Sequence, residues 1–219
     1  MQNILERLSQ IQQKIEHLKK LDTNFSIFGS KEHQYKLNPV LSEEGVRKFE
    51  EKYKVQLPEE YRSFIIYVAN GGVGPSYGLY SLDQAYEHNP FLDLKNIDKP
   101  FPFEKSWGCN RKDFEENYSR DPRWQEYDKQ GLIYDVPSEI YHYDPISLDT
   151  TGTFREGIIM LNHMGSGYFN NLVITGPQKG TVWQDYMTSD EGIFSTGKNF
   201  LEWYEGWLDY SISQLEQKK

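Results

Sequence analysis

The sequence contains a single cysteine, Cys109, among its 219 residues. One thiol cannot form an internal disulfide, and a thiolate metal site needs several sulfur ligands. The five histidines lack the spacing of a metal-binding motif, so neither a metal nor another cofactor is expected. The chain also lacks an apolar run long enough to span a membrane, and its charged beginning is not typical of a signal peptide. We therefore expect a cytoplasmic protein without a membrane association.

Positive charge is scarce as well. The chain has 24 lysines and arginines against 33 aspartates and glutamates, which gives a formal net charge of -9 at pH 7. Such a surface repels the phosphate backbone of nucleic acids, so a nucleic-acid partner is disfavoured. The same surface attracts basic proteins. The charge therefore indicates a protein partner, with a basic one as the best match.

The one stretch that resembles a phosphate-binding loop is "MGSGYFNN", in which Gly165, Ser166 and Gly167 precede an apolar segment. A Walker loop needs a lysine and a following helix, and neither is present. A dinucleotide-binding loop needs a third glycine where Asn170 stands. The residues that follow are typical of a strand, so the stretch predicts a β-hairpin turn. No serine-nucleophile motif occurs either, and we expect a protein that is not an enzyme.

Aromatic residues are abundant, at 15% of the chain, and they are sufficient for a substantial core. Apolar residues at helical spacing predict helices over most of 4–20, 43–52, 59–69 and 199–213. A helix on the body of the domain is the favoured interpretation of 4–20, and a self-association helix is the alternative. "GLYSL" predicts a short strand, after which Asp83 is expected to cap a short helix. Further strands are expected at 157–161, 168–175 and 181–184. The predicted core includes Tyr61, Phe64, Ile65, Val173 and Trp207.

The organisation along the chain is expected to be an accessory helix and linker in 1–40 and one domain in 41–219. The segment 22–41 carries Asn24, Gly29, Ser30 and Pro39, which are typical of a linker. A densely charged insert is expected near 110–130, and short strands are expected around Pro137.

Several ordered motifs together resemble the SUKH superfamily. They are "LPEEYRSFIIYVANGG" with the following "GPSYGLYSL", the Gly-x-Gly-Tyr turn at 165–168, "TGP", "GTVW", "DEGI" and the helix "FLEWYEGWL". They span about 41–208. The resemblance implies an α+β fold, with a mostly antiparallel sheet flanked by helices. It also implies a non-enzymatic binding protein, because bacterial members are similar to immunity proteins that neutralise toxin domains, many of them nucleases. The alternative is a regulatory or scaffolding module like the fungal cell-wall-synthesis regulator.

The partner-binding surface is expected on loops that combine aromatic anchors with carboxylates. Two segments offer this combination, "GPSYGLYSLDQAYE" and "VWQDYMTSDE". The alternative is that their rings only pack the edge of the sheet, in which case the acidic insert around 113–117 is the next candidate. The candidate residues are Tyr77, Tyr80, Asp83, Glu87, Trp183, Asp185, Tyr186, Asp190 and Glu191.

Overall fold

The computed structural model describes residues 3–91, 94–108, 155–189 and 191–217. The expected charged insert, the strands around Pro137 and Cys109 lie outside the described residues. The described part is α+β, as predicted, with six α-helices and one five-stranded sheet. None of its helices is both long enough and apolar enough to cross a membrane.

The first helix, α1 (Ile4–Leu21), packs against the last helix, α6 (Phe200–Glu216). The Asn3 side chain caps α1 by accepting a hydrogen bond from the backbone N–H of Leu5. Four apolar residues of α1 are buried, which confirms the predicted helix on the body of the domain. They are Leu8, Ile11, Ile15 and Leu18. On the same side, Arg7 forms ion pairs of 3.0 Å with Glu60 and 2.9 Å with Glu205. These pairs connect α1 to two other helices.

Four shorter helices lie between these two. They are α2 (Ser30–His33), α3 (Glu43–Tyr53), α4 (Glu59–Tyr67) and α5 (Leu82–Ala85). Serine side chains cap two of them, α3 and α5. The segment "GLYSL" was wrongly expected to be a strand, since it contributes only an isolated bridge between Gly72 and Leu79. Ser81, rather than Asp83, caps α5, because the Ser81 hydroxyl accepts from the Gln84 N–H in a capping box.

The sheet is antiparallel throughout, in the order β1-β5-β4-β3-β2. Its strands are β1 (Trp107–Gly108), β2 (Ile158–Gly165), β3 (Tyr168–Val173), β4 (Thr181–Asp185) and β5 (Gly192–Asn199). The predicted β2, β3 and β4 are present. The sequence did not predict β5, because most of its residues are polar or glycine and its ladder with β4 is what holds it.

The turn at Gly165–Gly167 connects β2 to β3, and no helix follows it. All three residues have positive φ, at 103° for Gly165, 53° for Ser166 and 78° for Gly167. This left-handed backbone favours glycine, which is why glycine flanks the serine. The prediction of a hairpin turn is confirmed.

Both faces of β2 and β3 are covered, since each strand buries five consecutive residues. Phe101 and Phe103 pack on the ring of Trp183, at 5.0 and 6.3 Å between centroids. Four of the predicted core residues are buried, and Trp207 is half-buried.

Candidate protein-binding surface

The β2–β3 turn is flanked by the two segments that the sequence nominated. On one side the ring of Tyr77 faces Gly165, where an added Cβ would lie 3.6 Å from the Tyr77 hydroxyl oxygen. On the other side the Thr188 hydroxyl donates a 2.8 Å hydrogen bond to the carbonyl oxygen of Gly167. The fold therefore brings the two segments to opposite sides of one hairpin.

Four aromatic rings form a continuous row across this region, and we call it the aromatic ladder. Its members are Phe28, Tyr77, His163 and Phe91. Successive centroids lie 5.3, 5.7 and 4.5 Å apart. Phe28 is 64% exposed, Tyr77 40% and Phe91 50%, although aromatic rings of this size are usually buried. A contiguous row of exposed rings is typical of a protein-binding surface.

His163 stands in the middle of the ladder. Burial lowers the pKa of its imidazole, which favours the neutral ring at neutral pH. Its Nε2 lies 3.4 Å from the backbone nitrogen of Gly167 and accepts that N–H, which links the ladder to the hairpin turn. Phe169 lies beneath it, 5.4 Å away and almost fully buried. The ladder is therefore an uncharged aromatic surface on a rigid base.

Tyr186 lies on the other side of the hairpin, with its ring 4.8 Å from that of Tyr168. Burial raises the pKa of the Tyr186 phenol, and the negative charge of Glu191 raises it further. Glu191 itself is exposed. Asp190 lies outside the described residues. Tyr186 and Glu191 together place a half-buried ring and a carboxylate at this side of the turn.

Trp183 and Asp185 do not belong to any exposed surface, because both are completely buried in β4. One Asp185 carboxylate oxygen accepts a 3.0 Å hydrogen bond from Nε of Arg155, and the other accepts from the N–H of Met187 at 2.9 Å. Strand alternation exposes side chains only when one face of a sheet is open, and here both faces are covered. The sequence analysis expected these two residues in the partner-binding surface, and their burial contradicts that expectation.

Tyr80 is half-buried, and burial raises the pKa of its phenol to about 12. Asp83 and Glu87 are exposed, but they line a groove against α3 rather than the hairpin. Glu87 accepts a 2.7 Å hydrogen bond from Nζ of Lys52, and this contact lowers the pKa of the Glu87 carboxyl. The structure thus separates these two carboxylates from the aromatic ladder.

Asp83, Glu87 and His88 are close enough to offer three ligand atoms to a cation, within 4.8 Å of one another. All three are exposed, and their atoms already contact protein groups. His88 lies 2.7 Å from Asp83, and Glu87 binds Lys52. Exposed carboxylates of this kind are common on an acidic surface, so the cluster supports no metal site.

Sequence reasoning missed Phe28, Phe91 and His163. Phe28 lies in the segment that we interpreted as a linker, and Phe91 lies in a loop of ambiguous pattern. Neither residue lies in a helix or strand whose hydrophobic periodicity the sequence shows. A lone aromatic residue in a loop usually indicates local packing. Only the fold shows that these rings meet on one surface.

The loop that carries Phe28 is fixed by a buried carboxylate. Asp22 is 2% exposed and accepts hydrogen bonds from the Tyr35 hydroxyl at 2.7 Å and the Ser26 backbone N–H at 2.6 Å. Burial alone would raise the pKa of Asp22, but these bonds lower it to about 2. The loop then meets the Tyr77 loop at Gly29, where a Cβ would lie 1.7 Å from the Ser76 oxygen. The ladder is therefore built on a rigid scaffold.

The histidines in the described part of the chain do not form a nucleophile–base arrangement. Each contacts a carboxylate or a backbone N–H, and none contacts a hydroxyl group. The contacts are His17 with Glu216, His33 with the N–H of Tyr35, His88 with Asp83, and His163 with the N–H of Gly167. The candidate surface is thus a row of aromatic rings carried on an α+β scaffold.

The class defined by this fold is an α+β domain in which helices flank an antiparallel sheet. A model of the SMI1 / KNR4 family (SUKH-1) matches residues 40–206, which is more than half of the chain. The chain belongs to this family. Members are generally non-enzymatic and are known for protein–protein interactions. No match was found among curated proteins or among solved structures.

Proposed function

We propose that this protein is a cytoplasmic, non-enzymatic immunity protein that binds and neutralises a basic toxin domain, with a nuclease as the best fit. The aromatic ladder is the observation that carries the proposal. Members of the family are known for protein–protein interactions. The ladder is a row of rings to which the hairpin, the Phe28 loop and the Phe91 loop all contribute.

The arrangement of the ladder suits a tight complex. Aromatic side chains that are held in place lose little conformational entropy on binding, and they bury a large apolar area. Hydrogen bonds to Asp22 and to His163 hold the ladder at two points. The partner would therefore meet a pre-organised surface rather than a set of mobile loops.

The charge of the chain supports a basic partner. A nuclease domain must be basic in order to hold nucleic acid, and a net charge of -9 attracts such a domain over a distance. The immunity protein would then act by covering the basic surface. Complementary charge accelerates the encounter, while the aromatic rings determine how long the complex lasts.

The experiment is affinity capture with a tagged copy in its own cells, followed by an inhibition assay on the captured protein. We expect a toxin domain whose activity falls when the purified chain is added. Phe91→Ala should weaken this inhibition about 30-fold, corresponding to ~2 kcal/mol for an aromatic anchor. Tyr210→Ala is the matched control, because Tyr210 is 67% exposed on α6, away from the hairpin.

Two results would argue against the proposal. Capture of only cell-wall synthases or signalling enzymes would favour the regulatory or scaffolding module, which the family match equally permits. Equal losses for Phe91→Ala and Tyr210→Ala would show that the ladder is not the binding surface.

A further inference from the structure

A groove lies beside the outer end of the aromatic ladder. Its volume is about 430 Å³, which is large enough for one long side chain. Phe28 and Tyr77 form two of its walls, with their rings inclined at 57°. Glu32 and Lys31 are exposed at the same groove. The groove thus joins aromatic walls to charged groups.

The Glu32 carboxylate is available for an external partner. Among the residues that the structure describes, no cation forms an ion pair with Glu32, and no cation lies over the ring of Phe28 or Tyr77. The nearby buried carboxylate of Asp22, by contrast, is fully engaged by Tyr35, Ser26 and Ile27. Glu32 is therefore the carboxylate of this region that can bind a new cation.

Exposed aromatic faces next to a free carboxylate have the chemistry that recognises arginine. A guanidinium group is planar and weakly hydrated, so it stacks on an aromatic ring and donates a pair of hydrogen bonds to a carboxylate. An ammonium group is more strongly hydrated and cannot form the paired hydrogen bonds. Lys31 opposes any cation, but its exposed side chain can turn toward water.

We infer that this groove binds an arginine side chain of the protein partner, stacked on Phe28 and Tyr77 and paired with Glu32. The inference rests on the proposed function, because it assumes that the ladder meets a basic protein. The segment that supplies Phe28 and Glu32 precedes residues 40–206, which are the part matched by the family model. Tyr77 lies within the matched part, so the site would combine the shared domain with the preceding segment and contribute to partner choice.

The probes are N-acetyl-arginine-amide and N-acetyl-lysine-amide, titrated into the full chain and followed by the NMR shifts of backbone amides and aromatic protons. We expect millimolar binding of the arginine probe, as is usual for one side chain. Its shifts should centre on Phe28, Glu32 and Tyr77. The lysine probe should bind about threefold more weakly.

The charge variants sharpen the experiment. Glu32→Gln should weaken arginine binding about threefold, whereas Lys31→Gln should strengthen it by a similar factor, since it removes a like charge. Phe28→Ala should abolish the preference of arginine over lysine. Glu16→Gln, an exposed change on α1, is the control and should have no effect. Spectra of each variant show whether its fold is intact.

The inference is overturned if both probes produce equal shifts spread over the acidic surface, or if Glu32→Gln and Glu16→Gln behave alike. Either outcome leaves the proposed function standing when Phe91→Ala still weakens inhibition of the captured toxin. If Phe91→Ala does not weaken inhibition but the groove still prefers arginine over lysine, the proposed function is contradicted. The inference of an arginine-binding groove would then stand on its own.

Discussion

The protein contains two clusters of aromatic rings with nearly the same spacing and opposite exposure. In the interior cluster, the centroids of contacting rings lie 4.9 to 6.1 Å apart and the rings are at most 2% exposed. In the aromatic ladder the spacing is 4.5 to 5.7 Å, but its three exposed rings are 40 to 64% exposed. The interior cluster consists of Tyr61, Phe64, Phe200 and Tyr204.

The difference shows that the contact between rings does not by itself decide the role of a ring. The interior rings exclude water completely, so their burial contributes to the free energy of folding. The ladder rings keep much of their area in water, and this area can still be buried by a partner. Truncating a ring should therefore change stability in one cluster and binding in the other.

The largest expected effect is on the interior cluster. Phe200→Ala should lower the free energy of unfolding by about 3–5 kcal/mol, because it leaves a cavity between α4 and α6. The ring of Phe200 contacts both Tyr61 and Phe64, and it is fully buried. Urea unfolding followed by circular dichroism measures the change. A loss similar to that of Tyr210→Ala, an exposed ring on the same helix, would contradict the assignment of this cluster to the core.

The interior cluster is also the part of the molecule that the sequence predicted well. Its rings recur at helical spacing in α4 and α6. Pro58 precedes α4, and a capping box between Asn199 and Glu202 marks the beginning of α6. The β2–β3 hairpin was equally predictable, because two glycines separate two apolar segments. A repeated pattern within one segment is enough to predict such elements.

The ladder could not be predicted in the same way. Its four rings come from three loops and one strand, so no local period connects them. Tyr77 belongs to the ladder, whereas Trp183 and Asp185 were chosen because their segment combines aromatic residues with carboxylates. Both side chains would be exposed only if their face of the sheet were open. The packing of residues 94–103 on the sheet determines that these side chains are buried. This contact is long-range, so no local sequence pattern reveals it.

The buried imidazole of His33 should make stability depend on pH. It lies under the loop of Tyr77, and its ring is 6.3 Å from that of Trp207 on α6. Burial lowers the pKa of His33 to about 4, although the charge of Asp22 opposes this shift, and its Nε2 has no partner. The unfolded chain binds this proton near pH 6.5, so stability should fall as the pH drops from about 6.5 to 4, by ~3 kcal/mol in total.

The measurement is urea unfolding of the wild type and of His33→Asn between pH 7 and pH 5. An asparagine Oδ1 can replace Nδ1 as the acceptor for the Tyr35 N–H, but it does not titrate. The wild type should lose about 2 kcal/mol more than the variant over this range. Parallel curves would show that the buried imidazole does not cause the dependence.

The next effect concerns the ladder alone. Phe28→Ala should change the free energy of unfolding by less than about 0.5 kcal/mol, because the ring is mostly in water. The same change should weaken binding of the captured partner by about 1–2 kcal/mol, mainly through faster dissociation. Surface plasmon resonance and urea unfolding on one preparation test both parts. A large loss of stability would place Phe28 with the interior cluster and remove the contrast between the two.

The smallest effect on binding should come from the exposed carboxylate of Glu191, beside the hairpin. Glu191 is exposed beside Tyr186, and it influences the pKa of that phenol, so it lies close to the hairpin surface. Glu191→Gln should slow association about twofold at low salt, and the difference should fade as salt screens the charge. Dissociation should be unchanged, since an exposed carboxylate contributes little to the bound state.

Glu6→Gln provides the comparison for this last measurement, because it removes the same charge from an exposed site on α1. If association depends only on the net charge of -9, the two variants should slow it equally. If the partner docks at the hairpin, Glu191→Gln should have the larger effect, since electrostatic attraction is strongest at the contact surface. A larger effect of Glu6→Gln would move the binding surface to α1 and separate it from the ladder.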